Sequence, residues 1–283
     1  MTTLDTMPAS WNADMASRDA VASPSLIGVF DSGVGGLSVL RALHRQMPQA
    51  PLLYVADAGH APYGDRDPAH VRQRSERVVD HLVDQGARLV VIACNTATAW
   101  AVDSVRARHP AVVFVGVEPG VKPAALASAR RSIAVMATPS TLASERYADL
   151  VKRHAPGCQV HPVPCSGLAA AIERGEAGLA EVDRLLDQYC APLASLDIDT
   201  VVLGCTHYPF VADRIAARLR HGINLLDTAD AVARRAVDLL APLATNAEAE
   251  AAIVLQTTGE PDLLARMALC GLGRALPVQR IQI

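Results

Sequence analysis

Two apolar runs in this chain each deliver a cysteine into a polar turn. They are Leu89-Val90-Val91-Ile92-Ala93-Cys94-Asn95-Thr96 and Thr200-Val201-Val202-Leu203-Gly204-Cys205-Thr206-His207. Short continuous runs rich in β-branched residues, without polar alternation, fit strands buried on both faces of a parallel sheet. The carboxyl ends of such strands are where open α/β folds place their chemistry. The likeness extends upstream. Leu26-Ile27-Gly28-Val29-Phe30 enters Asp31-Ser32-Gly33, and Ile133-Ala134-Val135-Met136-Ala137 enters Thr138-Pro139-Ser140-Thr141. The spacing from Asp31 to Cys94 nearly matches that from Thr138 to Cys205. The expectation is an α/β protein with two similar parallel-sheet domains, related by approximate two-fold pseudosymmetry, with the cysteines facing each other across the cleft between them.

Alternation of strand-like and helix-like segments from residue 26 supports that reading. Leu52 to Val55 gives a second strand, Val71, Val78 and Leu82 recur at helical spacing, and Val112 to Val117 returns as a strand before Pro119-Gly120. That turn is taken as the first crossover. The expected organisation is a mobile extension over residues 1–25, one domain over 26–118 plus 227–283, and a second over 119–226. The helix from Thr228 to Leu240 and the tail beyond it would complete the first sheet.

At 283 residues the chain has room for one large or two modest domains. A formal charge of −3 and only 4% aromatic residues argue against nucleic-acid binding. No apolar stretch approaches a membrane span, and the first 24 residues carry no apolar signal core. A cytoplasmic location with reduced cysteines follows as an expectation. No C-x-x-C pair occurs, Cys205-Thr206-His207 offers two ligands only, and Cys158, Cys165, Cys190 and Cys270 are scattered. No metal site is expected.

The turn Asp31-Ser32-Gly33-Val34-Gly35-Gly36-Leu37-Ser38 imitates a phosphate cradle. Counted from Gly33, the dinucleotide fingerprint needs glycine where Ser38 stands, and no Walker lysine follows. Asp31 or Ser32 is free to cap the next helix, and the N–H groups there suit a substrate carboxylate. A lone Cys94 would read as a small buried hydrophobe. Two thiols in matching settings read differently, because a thiol both sheds and removes protons when suitably placed. Acting on opposite faces of a substrate, they would invert a carbon centre. His207 beside Cys205 leaves a nucleophilic-cysteine reading open.

These segments closely resemble the glutamate racemases, cofactor-independent members of the aspartate/glutamate racemase superfamily. The resemblance runs from Ile27 to near the C-terminus. It rests on Phe30-Asp31-Ser32-Gly33-Val34-Gly35-Gly36-Leu37, Ala61-Pro62-Tyr63-Gly64, Ala93-Cys94-Asn95-Thr96-Ala97 and Gly204-Cys205-Thr206-His207-Tyr208-Pro209, with Thr257-Thr258-Gly259-Glu260-Pro261 as the closing segment. It implies racemisation of glutamate without a cofactor, and D-glutamate for peptidoglycan. By the resemblance Cys94 would take the α-proton of D-glutamate and Cys205 that of L-glutamate, assisted by Asp31 and His207 respectively. Substrate contacts would come from Asp31, Ser32, Tyr63, Gly64, Asn95, Thr96, Thr206 and His207. Thr138 and Thr141 would line the substrate or cap a helix. Glu173, in a looser match, is the candidate for a second carboxylate near Cys205. A homodimer and activation by a cell-wall precursor are the partner expectations. An aspartate racemase and a non-catalytic small-molecule binding protein are the rival readings.

Overall fold

The computed structural model describes residues 25–240 and 252–283. The expected extension over residues 1–25 therefore lies outside the described residues, save for its last position. Ten strands are described among them: β1 (Ile27–Asp31), β2 (Leu52–Ala56), β3 (Leu89–Ile92), β4 (Val113–Gly116), β5 (Ser132–Ala137), β6 (Gln159–Pro164), β7 (Thr200–Leu203), β8 (Asn224–Leu226), β9 (Ile253–Thr257) and β10 (Val278–Arg280). They form a six-stranded sheet, order β10-β9-β2-β1-β3-β4, and a four-stranded sheet, order β6-β5-β7-β8. All strand pairings are parallel.

The order β2-β1-β3-β4 in the first sheet is repeated as β6-β5-β7-β8 in the second. Thus β3 and β7, the strands that precede the two cysteines, occupy equivalent positions. Each unit starts on a fully enclosed strand. Every residue of β1 and β5 is buried, and each of these strands is paired on both sides. Such strands have no solvent face, which is why their sequences are apolar but for Asp31 at the end of β1 and Ser132 at the start of β5.

Between the strands, helix starts are written locally. Asp67 accepts from His70 N at 3.0 Å ahead of the helix Pro68–Asp84, with Pro68 in its first turn. Ser144 does the same for Tyr147 N at 3.1 Å, opening the helix Glu145–His154. That helix carries Glu145 in its first turn and Lys152, Arg153 and His154 in its last, complementing its dipole. No helix among the described residues is long and apolar enough to cross a membrane.

The tail is an integral part of the first sheet. β9 pairs with β2, from Leu52–Ile253 to Ala56–Thr257, and β10 continues beyond it. Leu255 is fully buried in the same cluster as Ile27, Leu52 and Leu89. Leu255→Ala should therefore cost about 2–5 kcal/mol, as for a deep core truncation. Denaturant unfolding checks this, and a loss below about 0.5 kcal/mol would show that the tail packs only peripherally.

Candidate active site

Parallel strands bring their carboxyl ends to one edge of a sheet, and here those edges of the two sheets meet. Thr206 Oγ1, after β7, donates to Asp31 Oδ2, at the end of β1, at 3.0 Å. Val34 N, in the glycine-rich turn, donates to Glu173 Oε1 at 2.7 Å. The Thr96 hydroxyl lies 3.0 Å from that of Thr138 and 3.2 Å from that of Thr141. These contacts bound a narrow cleft between the two sheets. Cys94 and Cys205 both line it, at 6% and 7% exposure.

Each thiol sits in its own electrostatic setting. Cys94 is the N-terminal cap of the helix Asn95–Arg108, its Sγ accepting from Ala97 N at 3.5 Å. A helix N-terminus favours a thiolate, and the Ser32 hydroxyl lies 3.4 Å away. Burial and the negative charge of Asp31 outweigh both and push the thiol up to about 12. Cys205 lies instead beside an imidazole, with His207 Nδ1 3.6 Å from its Sγ. The other ring nitrogen, Nε2, is 2.5 Å from Glu173 Oε1. Burial acts to depress His207, but its contacts with Cys205 and Glu173 prevail and hold it well above the ordinary histidine value. A protonated His207 presents an N–H to Cys205 and another to Glu173.

The glycine-rich turn serves this arrangement rather than a phosphate. A Cβ on Gly33 would collide with Glu173 Oε1, and one on Gly35 with His207 Nδ1. The glycines admit side chains from the other sheet's domain. Two of the N–H groups expected to suit a substrate carboxylate are already bound, Gly33 N to Asp31 Oδ1 at 2.7 Å and Val34 N to Glu173. Neither Asp31 nor Ser32 caps the following helix. Its N-cap is Gly36, without a side-chain bond, because the intervening turn carries both residues away from the helix start.

Ser32, Tyr63, Gly64, Asn95, Thr96, Thr138, Thr206, His207 and Glu173 all line the cleft. Asp31 and Thr141 do not. Asp31 is fully buried, and burial raises its carboxyl, tempered by His207 and Gly33 N–H. Thr141 is bonded within the three-threonine cluster, at 2.9 Å from the Thr138 hydroxyl, and faces an adjoining cavity. Thr138 both lines the cleft and caps the helix Pro139–Leu142 through Thr141 N. Tyr63 presents its ring but not its hydroxyl, which donates to Asp57 Oδ2 at 2.6 Å.

Asp57 escaped the sequence reading. Its carboxylate also accepts from Arg74 Nε at 3.0 Å, Arg74 Nη2 at 2.8 Å and Thr258 Oγ1 at 2.8 Å. Its position is a readable signal, since Asp57 follows the apolar run of β2 as Asp31 ends that of β1. Arg74 carries no such mark, for nothing in a helical pattern announces that one arginine is 3% exposed.

Glu173→Gln removes a charge that raises His207, so the midpoint of the histidine in the folded protein should fall. A raised histidine stabilises the fold fully below its ordinary value of 6.5 and loses that contribution as pH rises through the folded value. The substitution should therefore shrink the loss of stability above that pH. NMR titration of the ring protons reads the shift, and an unmoved midpoint would mean that Glu173 does not govern His207.

Comparison with known proteins accords with this geometry. A sequence profile described as Asp/Glu/hydantoin racemase matches residues 27–236. A glutamate racemase of Ralstonia pickettii is 45% identical over 258 residues, covering 91% of each chain. Among solved structures, a glutamate racemase isoform from Bacillus anthracis superposes with a TM-score of 0.83 at 29% identity, over 92% of this chain and 98% of that one. The Escherichia coli glutamate racemase, solved with L-glutamate and the activator UDP-MurNAc-Ala, gives a TM-score of 0.78 at 30% identity, over 91% and 97%. A profile match over most of the chain, two repeated parallel sheets and a relative of this similarity place the chain in the Asp/Glu/hydantoin racemase family.

Proposed function

We propose that the protein interconverts L- and D-glutamate, with Cys94 and Cys205 as the two acid/base groups and without a cofactor. The observation that carries the proposal is the placement of two buried thiols after the equivalent strands β3 and β7, both lining one cleft. The names of the relatives supply the substrate.

The reaction needs one proton out and one proton in. A thiolate on one face takes the α-proton, its sulfur becomes a thiol, and the electron pair of the C–H bond remains on the substrate. The opposing thiol then donates its proton to the other face and becomes the thiolate. The carbanion is costly, so preorganised donors must meet the charge as it develops. Asn95, Thr96 and Ser32 have polar side chains along the cleft, whereas the Thr206 hydroxyl already donates to Asp31. His207 serves Cys205 as proton partner, with Glu173 holding the imidazole. Asp31, behind the cleft, acts on Cys94 through its charge. A bound substrate ammonium would offset that charge and ease ionisation of Cys94 when substrate is present. D-Glutamate made in the cytoplasm would then enter peptidoglycan, and the complex of the Escherichia coli relative with UDP-MurNAc-Ala makes a cell-wall precursor the regulator to try first.

Incubation with L-glutamate in deuterated water, without pyridoxal phosphate, tests this directly. Loss of the circular dichroism signal together with deuterium at the α-carbon is the expected result. Cys94→Ser and Cys205→Ser should each reduce racemisation by at least about 10²-fold, the contribution of a positioned acid/base group. Absence of both signals, with and without the precursor, would sink the proposal. Turnover of aspartate in place of glutamate would redirect it to the smaller amino acid.

A further inference from the structure

The Gly33–Val34 peptide unit is held from both sides. Its carbonyl accepts from the Tyr54 hydroxyl at 2.7 Å, and its N–H donates to Glu173 Oε1 at 2.7 Å. A trans peptide unit is planar, with its C=O and N–H pointing in opposite directions, so a donor that fixes the oxygen also fixes the direction of the N–H. One residue earlier, Gly33 N donates to Asp31 Oδ1 at 2.7 Å. Two successive N–H groups of the turn thus serve two carboxylates. One is Asp31, whose charge acts on Cys94, and the other is Glu173, which holds His207 beside Cys205.

Tyr54 is a firm anchor for this turn. It stands in the middle of β2, paired with β1 on one side and β9 on the other, and is fully buried. The turn closes tightly over its hydroxyl, which a Cβ on Gly36 would approach to 3.0 Å. Burial and the charges of Asp31 and Glu173 push the phenol far up, so it remains a donor. Gly33 has no side chain to restrain the backbone itself. Without the hydroxyl, its buried carbonyl must find another donor, and any tilt of the peptide plane toward one swings the Val34 N–H away from Glu173.

We infer that Tyr54 is a positioning residue for Glu173: its hydroxyl fixes the Gly33–Val34 peptide unit so that Val34 N–H meets Glu173 Oε1 and holds that carboxylate against His207. The hydrogen-bonded chain from Tyr54 to Glu173 stands on the geometry alone. Its consequence for turnover rests on the glutamate racemase reading.

Tyr54→Phe keeps the ring and removes the hydroxyl. The Val34 amide should then exchange with solvent at least about tenfold faster, while the amides of β1 and β2 change by less than about twofold. In racemisation of glutamate, kcat should fall about tenfold with KM changed by less than about twofold, because the proton partner of Cys205 is displaced rather than the substrate. In a Glu173→Ala background the same substitution should add less than about twofold. Unchanged exchange at Val34, or equal kinetic penalties in both backgrounds, would overturn the positioning role and leave the hydroxyl a part in stability only. A second measurement keeps Tyr54 in place: by NMR its hydroxyl proton should exchange slowly with water, and fast exchange would overturn the anchor. If the wild-type protein leaves glutamate unchanged, the glutamate reading falls by itself, and exchange at Val34 still decides whether Tyr54 holds the turn.

Discussion

A single carboxylate ties the two halves of the cleft together. Glu173 Oε1 accepts from Val34 N in the glycine-rich turn and from His207 Nε2 after β7. Its neighbours owe their form to it. Gly33 has no room for a side chain because Glu173 approaches there, and Gly35 has none because His207 does. Buried charges are tolerated only when paired and hydrogen-bonded; here Glu173 is paired with His207 within the second sheet's domain, and the Val34 N–H bond to the same oxygen crosses from the first. The contact between the domains and the charge state of the imidazole beside Cys205 therefore depend on the same few atoms.

Symmetry of the fold does not extend to the electrostatics. β3 and β7 hold equivalent places and each ends in a thiol, yet Cys94 faces a serine and the field of a buried aspartate, whereas Cys205 faces a histidine. One half meets its thiol with negative charge and the other with a titratable cation. A substrate bearing charges of both signs is recognised differently from the two sides, even though the scaffolds match. In the proposed two-thiol reaction, that asymmetry would suit a pair of groups that exchange the roles of acid and base in each turnover.

Much of the scaffold was legible because fully buried parallel strands leave an unmistakable mark. The apolar runs entering Asp31, Cys94, Thr138 and Cys205 correspond to β1, β3, β5 and β7, the central strands of the repeated order. β8 was not anticipated, for it is three residues long and only half-buried, without a periodic signal of its own. The glycine-rich turn was misleading in a specific way. Sequence alone shows that space is reserved beside the backbone, but not whether a phosphate, a substrate or a distant side chain fills it. Glu173 was hard to place for the converse reason, since an acidic residue at the end of a short amphipathic helix usually points to water. Its partners lie 139 and 34 positions away, and only the tertiary fold brings them near. Asp57 was missed although it follows an apolar strand run as Asp31 ends one, because no cysteine or glycine cluster drew notice to that strand end.

The bonds that cross the cleft also set a condition on turnover. A motion that draws the two sheets' domains apart would part Thr206 from Asp31, Val34 from Glu173 and Thr96 from Thr138. The same motion separates the two sulfurs and strips Glu173 of one of its donors. While the cleft is closed both sulfurs are buried, and burial holds Cys94 as the thiol rather than the more reactive thiolate. The interlock that encloses the site thus also shields its sulfurs from oxidants and stray electrophiles.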